Sequence, residues 1–130
     1  MIRKNRSGKK KILLIDDEMD LVNLVKMRLE LHDYAVVPLY TSKRAVEITK
    51  REQPNLILLD VMMPDIDGYE VCRTLKSDEK TKHIPVILFT SKIAEVQKMS
   101  KEHKDIGADD YIPKPFNPDM LLDKVNKFLK

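Results

Sequence analysis

Asp60 ends an apolar run, Asn55-Leu56-Ile57-Leu58-Leu59, and is followed by Val61-Met62-Met63-Pro64-Asp65-Ile66-Asp67-Gly68. Three more apolar runs end in groups that can do chemistry. Lys11–Ile15 leads into Asp16-Asp17-Glu18, Pro85–Phe89 into Thr90-Ser91, and Tyr111-Ile112 into Pro113-Lys114-Pro115. Three carboxylates brought together repel, so without a cation at least one has a raised pKa. A hard divalent cation relieves the repulsion, and an all-oxygen set suits Mg²⁺, with Mn²⁺ as a second candidate. Beside such a cation, Asp60 can act as a nucleophile toward a phosphoryl group and form an aspartyl phosphate. In-line phosphoryl transfer needs charge stabilisation on the transferred oxygens more than it needs acid–base groups. Lys114 supplies that by charge and Thr90 by hydrogen bond. Each residue also has a plainer reading: Asp60 as a turn cap, Asp16-Asp17 or Thr90 as helix caps, Lys114 as a solvated loop lysine. Their joint occurrence, each directly after an apolar run, favours one shared site.

The elements that must position these groups alternate strand and helix five times. The strands are expected at Lys11–Ile15, Ala35–Leu39, Asn55–Leu59, Pro85–Phe89 and Asp110–Ile112. Pro38 cannot donate to a ladder, which places the second strand at a sheet edge. The first helix runs from about Glu18 to Leu31, with Leu21, Leu24, Val25 and Leu29 on one face. The second starts near the caps Thr41-Ser42 and ends before Pro54. The third begins near Gly68 and sets Tyr69, Cys72 and Leu75 on one face, so Cys72 reads as a buried small hydrophobe. The fourth covers about Ile93–Asp105 and stops at Gly107, a residue suited to a left-handed terminus. The fifth opens with Asn117 as cap and Pro118 at its first position, then carries Leu121, Leu122, Val125, Phe128 and Leu129. Such alternation implies right-handed crossovers and a parallel sheet covered on both faces, an α/β three-layer sandwich. Parallel strands put their C-termini on one edge, where open α/β sheets bind ligands. Asp16, Asp17, Asp60, Thr90 and Lys114 converge there.

Composition bounds the function. A chain of 130 residues, 42% apolar and 35% charged, fits one soluble domain. No apolar stretch approaches the roughly 18 residues of a membrane span. The N-terminus lacks the apolar core of a signal peptide, and the single Cys72 fits a reducing compartment, so a cytoplasmic location is expected. The net charge of +3 is uneven: residues 1–11 hold six cations (Arg3, Lys4, Arg6, Lys9, Lys10, Lys11) and no acid, leaving 18 basic against 21 acidic residues beyond them. The division expected is a basic tail at 1–10 and a folded domain at 11–130. No basic cluster with interleaved aromatics appears in that domain, which argues against direct nucleic-acid binding. His32, His83 and His103 lack metal-ligand spacing.

Asp16-Asp17, Leu58 to Gly68, Phe89-Thr90-Ser91 and Gly107 to Phe116 together resemble the receiver domain of two-component response regulators, from residue 11 to the end of the chain. The resemblance implies a flavodoxin-like fold with five helices and strand order 2-1-3-4-5, an order known for this fold type. It implies Asp60 as the phosphoacceptor for a histidine kinase or phosphotransfer protein. It implies Asp17 as a direct Mg²⁺ ligand, Asp16 acting mainly through water, and the backbone carbonyl of Met62 completing the set with Asp60. Thr90 and Lys114 correspond to the phosphoryl-binding pair. Thr90 and Tyr111 correspond to a switch that remodels the surface along the fourth predicted helix, fifth strand and fifth helix for a downstream effector or fused output domain. The Lys114-Pro115 bond is expected to be cis. Met62 and Lys92 occupy the positions that modulate phosphate lifetime, and neither orients a water well, so slow autodephosphorylation is expected. Two rival readings remain at this point. An aspartyl-phosphate hydrolase needs a second acid where Met62 stands. A degenerate receiver would act as a phosphorylation-independent interaction module.

Overall fold

The computed structural model describes residues 8–64, 67–90 and 107–130. Five parallel strands form one sheet: β1 (Lys11–Ile15), β2 (Ala35–Leu39), β3 (Leu56–Asp60), β4 (Val86–Thr90) and β5 (Asp110–Pro113), in spatial order β2-β1-β3-β4-β5. The described helices are α1 (Met19–Leu31), α2 (Ala45–Glu52), α3 (Gly68–Ser77) and the C-terminal α4 (Pro118–Leu129), which is the fifth in the predicted order. This is the expected flavodoxin-like three-layer arrangement. The predicted helix at 93–105 lies outside the described residues, as does Lys92.

The layers follow from period-two alternation along buried strands. Ile12, Leu14, Leu56, Leu58, Ile87 and Phe89 pack with Val22, Val25 and Leu29 of α1 and Leu121 and Val125 of α4. The alternate residues Leu13, Ile15, Ile57, Leu59, Val86 and Leu88 pack with Ala45 and Ile48 of α2 and Val71, Cys72 and Leu75 of α3. Every residue of β3 and β4 is buried. β2 sits at the edge as Pro38 requires, paired to β1 alone with Pro38 opposite Leu14.

Some boundaries differ from expectation. β3 begins at Leu56 and takes in Asp60, because Asn55 turns its side chain to accept a 2.7 Å hydrogen bond from the Lys11 amide. β4 likewise runs from Val86 through Thr90. α2 starts at Ala45 rather than near Thr41. Thr41 Oγ1 instead accepts from the Lys43 amide in a turn, and no side chain caps the helix at Arg44. Leu24 is not on the inner face of α1: it is exposed, and Val22 takes the inward place with Val25 and Leu29. β5 extends one residue further, to Pro113. Asn117 caps α4 as expected, by accepting from the Asp119 amide with Pro118 inside the first turn. Gly107 is left-handed, with φ +79°, while the helix expected to stop there lies outside the described residues.

Candidate functional site

Strand register brings the acids together. β1 and β3 pair Ile15 with Leu59, so the next step along both strands is Asp16 beside Asp60, on the α1 and α4 side of the sheet by alternation. Three backbone bonds extend the ladders past the strand ends and fix the site's main chain: Asp16 N–H to Leu39 O at 3.0 Å, Val61 N–H to Phe89 O at 3.1 Å and Lys114 N–H to Thr90 O at 2.6 Å. The third delivers Lys114 from the end of β5 to the same edge. The Lys114-Pro115 bond is cis, as expected.

Lys114 is the hub. Its Nζ lies 2.6 Å from Asp16 Oδ2, 3.4 Å from Asp60 Oδ2 and 3.3 Å from Glu18 Oε1. Asp16 and Asp60 are buried, and their remaining oxygens accept from the backbone: Asp16 Oδ1 from Glu18 N–H and Asp60 Oδ1 from Met62 N–H, each at 3.0 Å. Asp17 is exposed, yet carboxylate oxygens of Asp16, Asp17 and Asp60 all lie within 4.8 Å of one another. Four carboxylates thus share this edge with one ammonium, and Asp16 titrates above its ordinary range. Desolvation pushes its pKa up most. The Lys114 hydrogen bond and the Glu18 amide oppose this, the charge of Asp60 adds to it, and the net is a raised pKa. On Lys114, burial works against the ammonium, but the Asp16 hydrogen bond and the charges of Asp16, Asp60 and Glu18 outweigh it and hold the pKa above the usual lysine value. Oxygen donors with excess negative charge at one buried edge fit a hard divalent cation.

The loop after Asp60 is sterically set. A Cβ on Gly68 would stand 2.5 Å from Val61 Cα and 2.7 Å from the Asp60 carbonyl oxygen, so only glycine lets α3 start flush against the site backbone. Asp67 caps α3 by accepting from the Tyr69 amide at 2.9 Å. Met62 is exposed beside Asp60.

Thr90 is buried at the end of β4, one residue beyond Phe89, which pairs with Asp60. Tyr111 is half-buried on β5 and packs against the α2 and α3 side of the core. Thus Asp16, Asp17, Asp60 and Lys114 form one cluster, with Thr90 on the same edge and Tyr111 one strand over. Two features escaped the sequence reading. Glu18 appeared there among the acids that end the first apolar run and as the start of a helix, but not as a partner of Lys114. Phe89 stacks on Phe116 with ring centroids 5.4 Å apart, and the Lys114 ammonium lies 5.8 Å from the Phe89 ring. The aromatic that follows Pro115 was the available sign of that packing.

This edge geometry has counterparts among known proteins. A family model, the response regulator receiver domain, matches residues 12–126. The DNA-binding dual master transcriptional regulator RpaA of Synechocystis is 37% identical over 92% of this chain and 49% of its own length. The alkaline phosphatase synthesis transcriptional regulatory protein PhoP of Bacillus subtilis is 37% identical over 93% of this chain and 49% of its own length. The chain therefore spans about half the length of the curated relatives it matches. Among solved structures, the chemotaxis response regulator CheY4 of Vibrio cholerae superposes with a TM-score of 0.84 at 26% identity, covering 93% of this chain and 99% of that one. Buried acids, a cis lysyl-proline and five parallel strands in this order thus come with a family match over nearly the whole chain, and the protein belongs to the response regulator receiver domain family.

Proposed function

We propose that Asp60 accepts a phosphoryl group from the phosphohistidine of a histidine kinase or phosphotransfer protein and thereby switches a partner-binding surface. The observation that carries this reading is the Lys114 hub, which gathers Asp16 and Asp60 at the C-terminal edge of the sheet. Asp60 Oδ1 is engaged by the Met62 amide, which leaves Oδ2 as the attacking oxygen. The Oδ2–phosphorus bond forms as the donor's phosphorus–nitrogen bond breaks, and the proton of the imidazole product comes from solvent. Lys114 then binds one transferred oxygen by charge, and the Thr90 hydroxyl donates to another.

Asp17, Asp60 and the Met62 carbonyl are the groups that would hold Mg²⁺ or Mn²⁺ directly, with Asp16 acting through water. A bound divalent cation neutralises charge on the phosphoryl oxygens. Only self-phosphorylation and dephosphorylation are assigned to the chain, with no turnover of a separate substrate. Met62 and Lys92 set a slow loss of phosphate, since neither side chain orients an attacking water.

Movement of Thr90 and Tyr111 biases the surface that includes β5 and α4 toward an effector or a fused output domain. The face of α1 beside the site is the docking surface for the phosphodonor. It leaves Leu24, Met27 and Leu31 exposed at helical spacing, an apolar stripe the core does not use. The chain acts in the cytoplasm and contacts neither nucleic acid nor membrane by itself. Among the described residues, no helix is long and apolar enough to cross a membrane.

The test is incubation with acetyl phosphate and Mg²⁺, reading intact mass beside an Asp60→Asn control and an EDTA control. A single phosphoryl adduct on the wild type alone, dependent on Mg²⁺, is expected. An adduct that persists in Asp60→Asn would move the chemistry to another residue. Absence of any adduct would leave an interaction module.

A further inference from the structure

The three carboxylates around Lys114 are not equivalent. Asp16 and Asp60 side chains are 1% and 4% exposed, whereas the Glu18 side chain is 63% exposed. The ammonium donates hydrogen bonds to Asp16 and Glu18, at 2.6 and 3.3 Å, and pairs by charge with Asp60 Oδ2 at 3.4 Å. Glu18 is also anchored for the purpose. Its amide donates to Asp16 Oδ1, which fixes its backbone beside the site. It occupies the N-cap position of α1, yet its side chain makes no cap hydrogen bond, so the carboxylate is not used by the helix.

We propose that Glu18 is a positioning residue for Lys114: its carboxylate holds the outward hydrogen-bond direction of the ammonium until a phosphoryl oxygen replaces it. The proposal rests on the phosphoacceptor reading of Asp60. A phosphoryl oxygen that reaches Lys114 competes with these carboxylates for the ammonium. Asp16 is buried, so losing its ammonium would strand a carboxylate away from water. Asp60 is the group being esterified. Glu18 alone can leave into solvent at small cost, because its carboxylate is 63% exposed and water takes the place of the ammonium. The resting arrangement thus sets the Glu18 carboxylate in competition with the phosphoryl oxygen for one N–H of Lys114. Glu18 forms and breaks no covalent bond in the step.

The test compares wild type, Glu18→Gln and Glu18→Asp with acetyl phosphate at fixed Mg²⁺. Glu18→Gln removes the competing acceptor charge. Glu18→Asp keeps the charge but shortens the reach by one methylene. Both are expected to raise the second-order rate constant for Asp60 phosphorylation about twofold to fivefold, the fold-change matching an exposed ion pair. A Glu18→Asp variant as slow as wild type would mean that charge at a distance, not contact, is responsible, and would overturn the proposal. Mg²⁺ affinity by calorimetry is expected to stay within about twofold in Glu18→Gln, since that carboxylate is engaged by Lys114. A loss of about tenfold or more would make Glu18 a cation ligand instead and also overturn it. Nitrogen-detected NMR of the Lys114 ammonium gives a readout that needs no phosphorylation. Its protons should exchange with water faster in both variants, and unchanged exchange would show that the contact does not hold the lysine. If wild type itself forms no adduct, the phosphoacceptor reading fails, while the NMR comparison still decides whether Glu18 positions Lys114.

Discussion

The two ends of the sheet both bury lysines beside acids, but they balance charge differently. At the N-terminal edge, Lys76 reaches Asp109 Oδ2 at 2.7 Å and the Ile84 carbonyl at 2.8 Å. Lys11 reaches Glu52 Oε1 at 3.3 Å and the Glu52 carbonyl at 3.2 Å. Among the described residues, each of these ammonium groups meets one carboxylate and turns other donors to main-chain oxygen. At the C-terminal edge, Lys114 meets three carboxylates, with Asp17 nearby. The lysines are comparably buried, with side chains 12–15% exposed, so burial does not distinguish them. The acids do. Burial pushes Glu52 up, but the hydrogen bonds and charges of Lys11 and Arg51 outweigh it and leave the pKa below the ordinary value. Asp16, pushed up chiefly by burial and further by the charge of Asp60, ends above it. Charge is balanced among the described groups at the bottom of the fold, whereas the acids at the top outnumber their one ammonium.

That contrast is broken most strongly at Lys114. Lys114→Met leaves Asp16 and Asp60 buried without a counter-charge and should destabilise the protein in EDTA by about 3 kcal/mol. Mg²⁺ should restore much of that loss, because a cation can take over the compensation. Urea unfolding with and without Mg²⁺ measures both quantities, and a loss that Mg²⁺ leaves untouched would place Lys114 among the structural lysines. Lys76→Met at the opposite edge should cost less, about 2 kcal/mol, by stranding Asp109 and the Ile84 carbonyl. This loss should be the same in Mg²⁺ and EDTA. Cys72 reports on the same region. Burial pushes its thiol up to about 12, so alkylation at neutral pH should require opening of the fold and should accelerate in Lys76→Met.

Most of this contrast was legible in the sequence only at the upper edge. Asp16, Asp60, Thr90 and Lys114 each follow an apolar run directly, and a parallel sheet collects such positions by topology. Pro38 marked the edge strand and Asn117-Pro118 the last helix for equally local reasons. The contacts that were missed join groups by geometry that spacing does not encode. Glu18 meets Lys114 across 96 residues, and Asp109, just before β5, meets Lys76 near the end of α3. Leu24 was placed inward because it is apolar within an apolar helix. Val22, Val25 and Leu29 at i, i+3 and i+7 form the tighter stripe, and the surplus hydrophobe was left outside.

A smaller effect sharpens the contrast through pH. Glu52→Gln should cost about 1.5 kcal/mol near neutrality, since it weakens hydrogen bonds to two cations. Because the folded pKa of Glu52 is depressed, its contribution is complete above the ordinary value of 4.5 and fades as pH falls through the folded value. Wild type and Glu52→Gln should therefore converge in acid. Asp16 carries the opposite sign. Its folded pKa is raised, so the native state holds its proton more tightly, and the cation-free protein loses stability as pH rises from 3.8 through the folded value. The gain in melting temperature on adding Mg²⁺ should grow over that same interval and then level off. A Mg²⁺ effect that is flat with pH would separate cation binding from Asp16.

The smallest effect expected lies at Gly107. Its φ of +79° is left-handed, and a Cβ there would stand 3.1 Å from Lys76 Cγ and 3.3 Å from Lys76 Cβ. Gly107→Ala should cost about 1 kcal/mol for the backbone conformation alone. Any further cost depends on whether Lys76 can yield, and a lysine held by Asp109 and the Ile84 carbonyl yields less readily than a solvated one. A double-mutant cycle separates the two contributions. If the tether matters, Gly107→Ala should cost less in a Lys76→Met background, because the shorter, untethered side chain can move aside. Strict additivity would mean that only the backbone is strained. Lys76 would then act at the lower edge solely through its ion pair, and that edge would owe its rigidity to charge balance rather than to packing around the lysine stem.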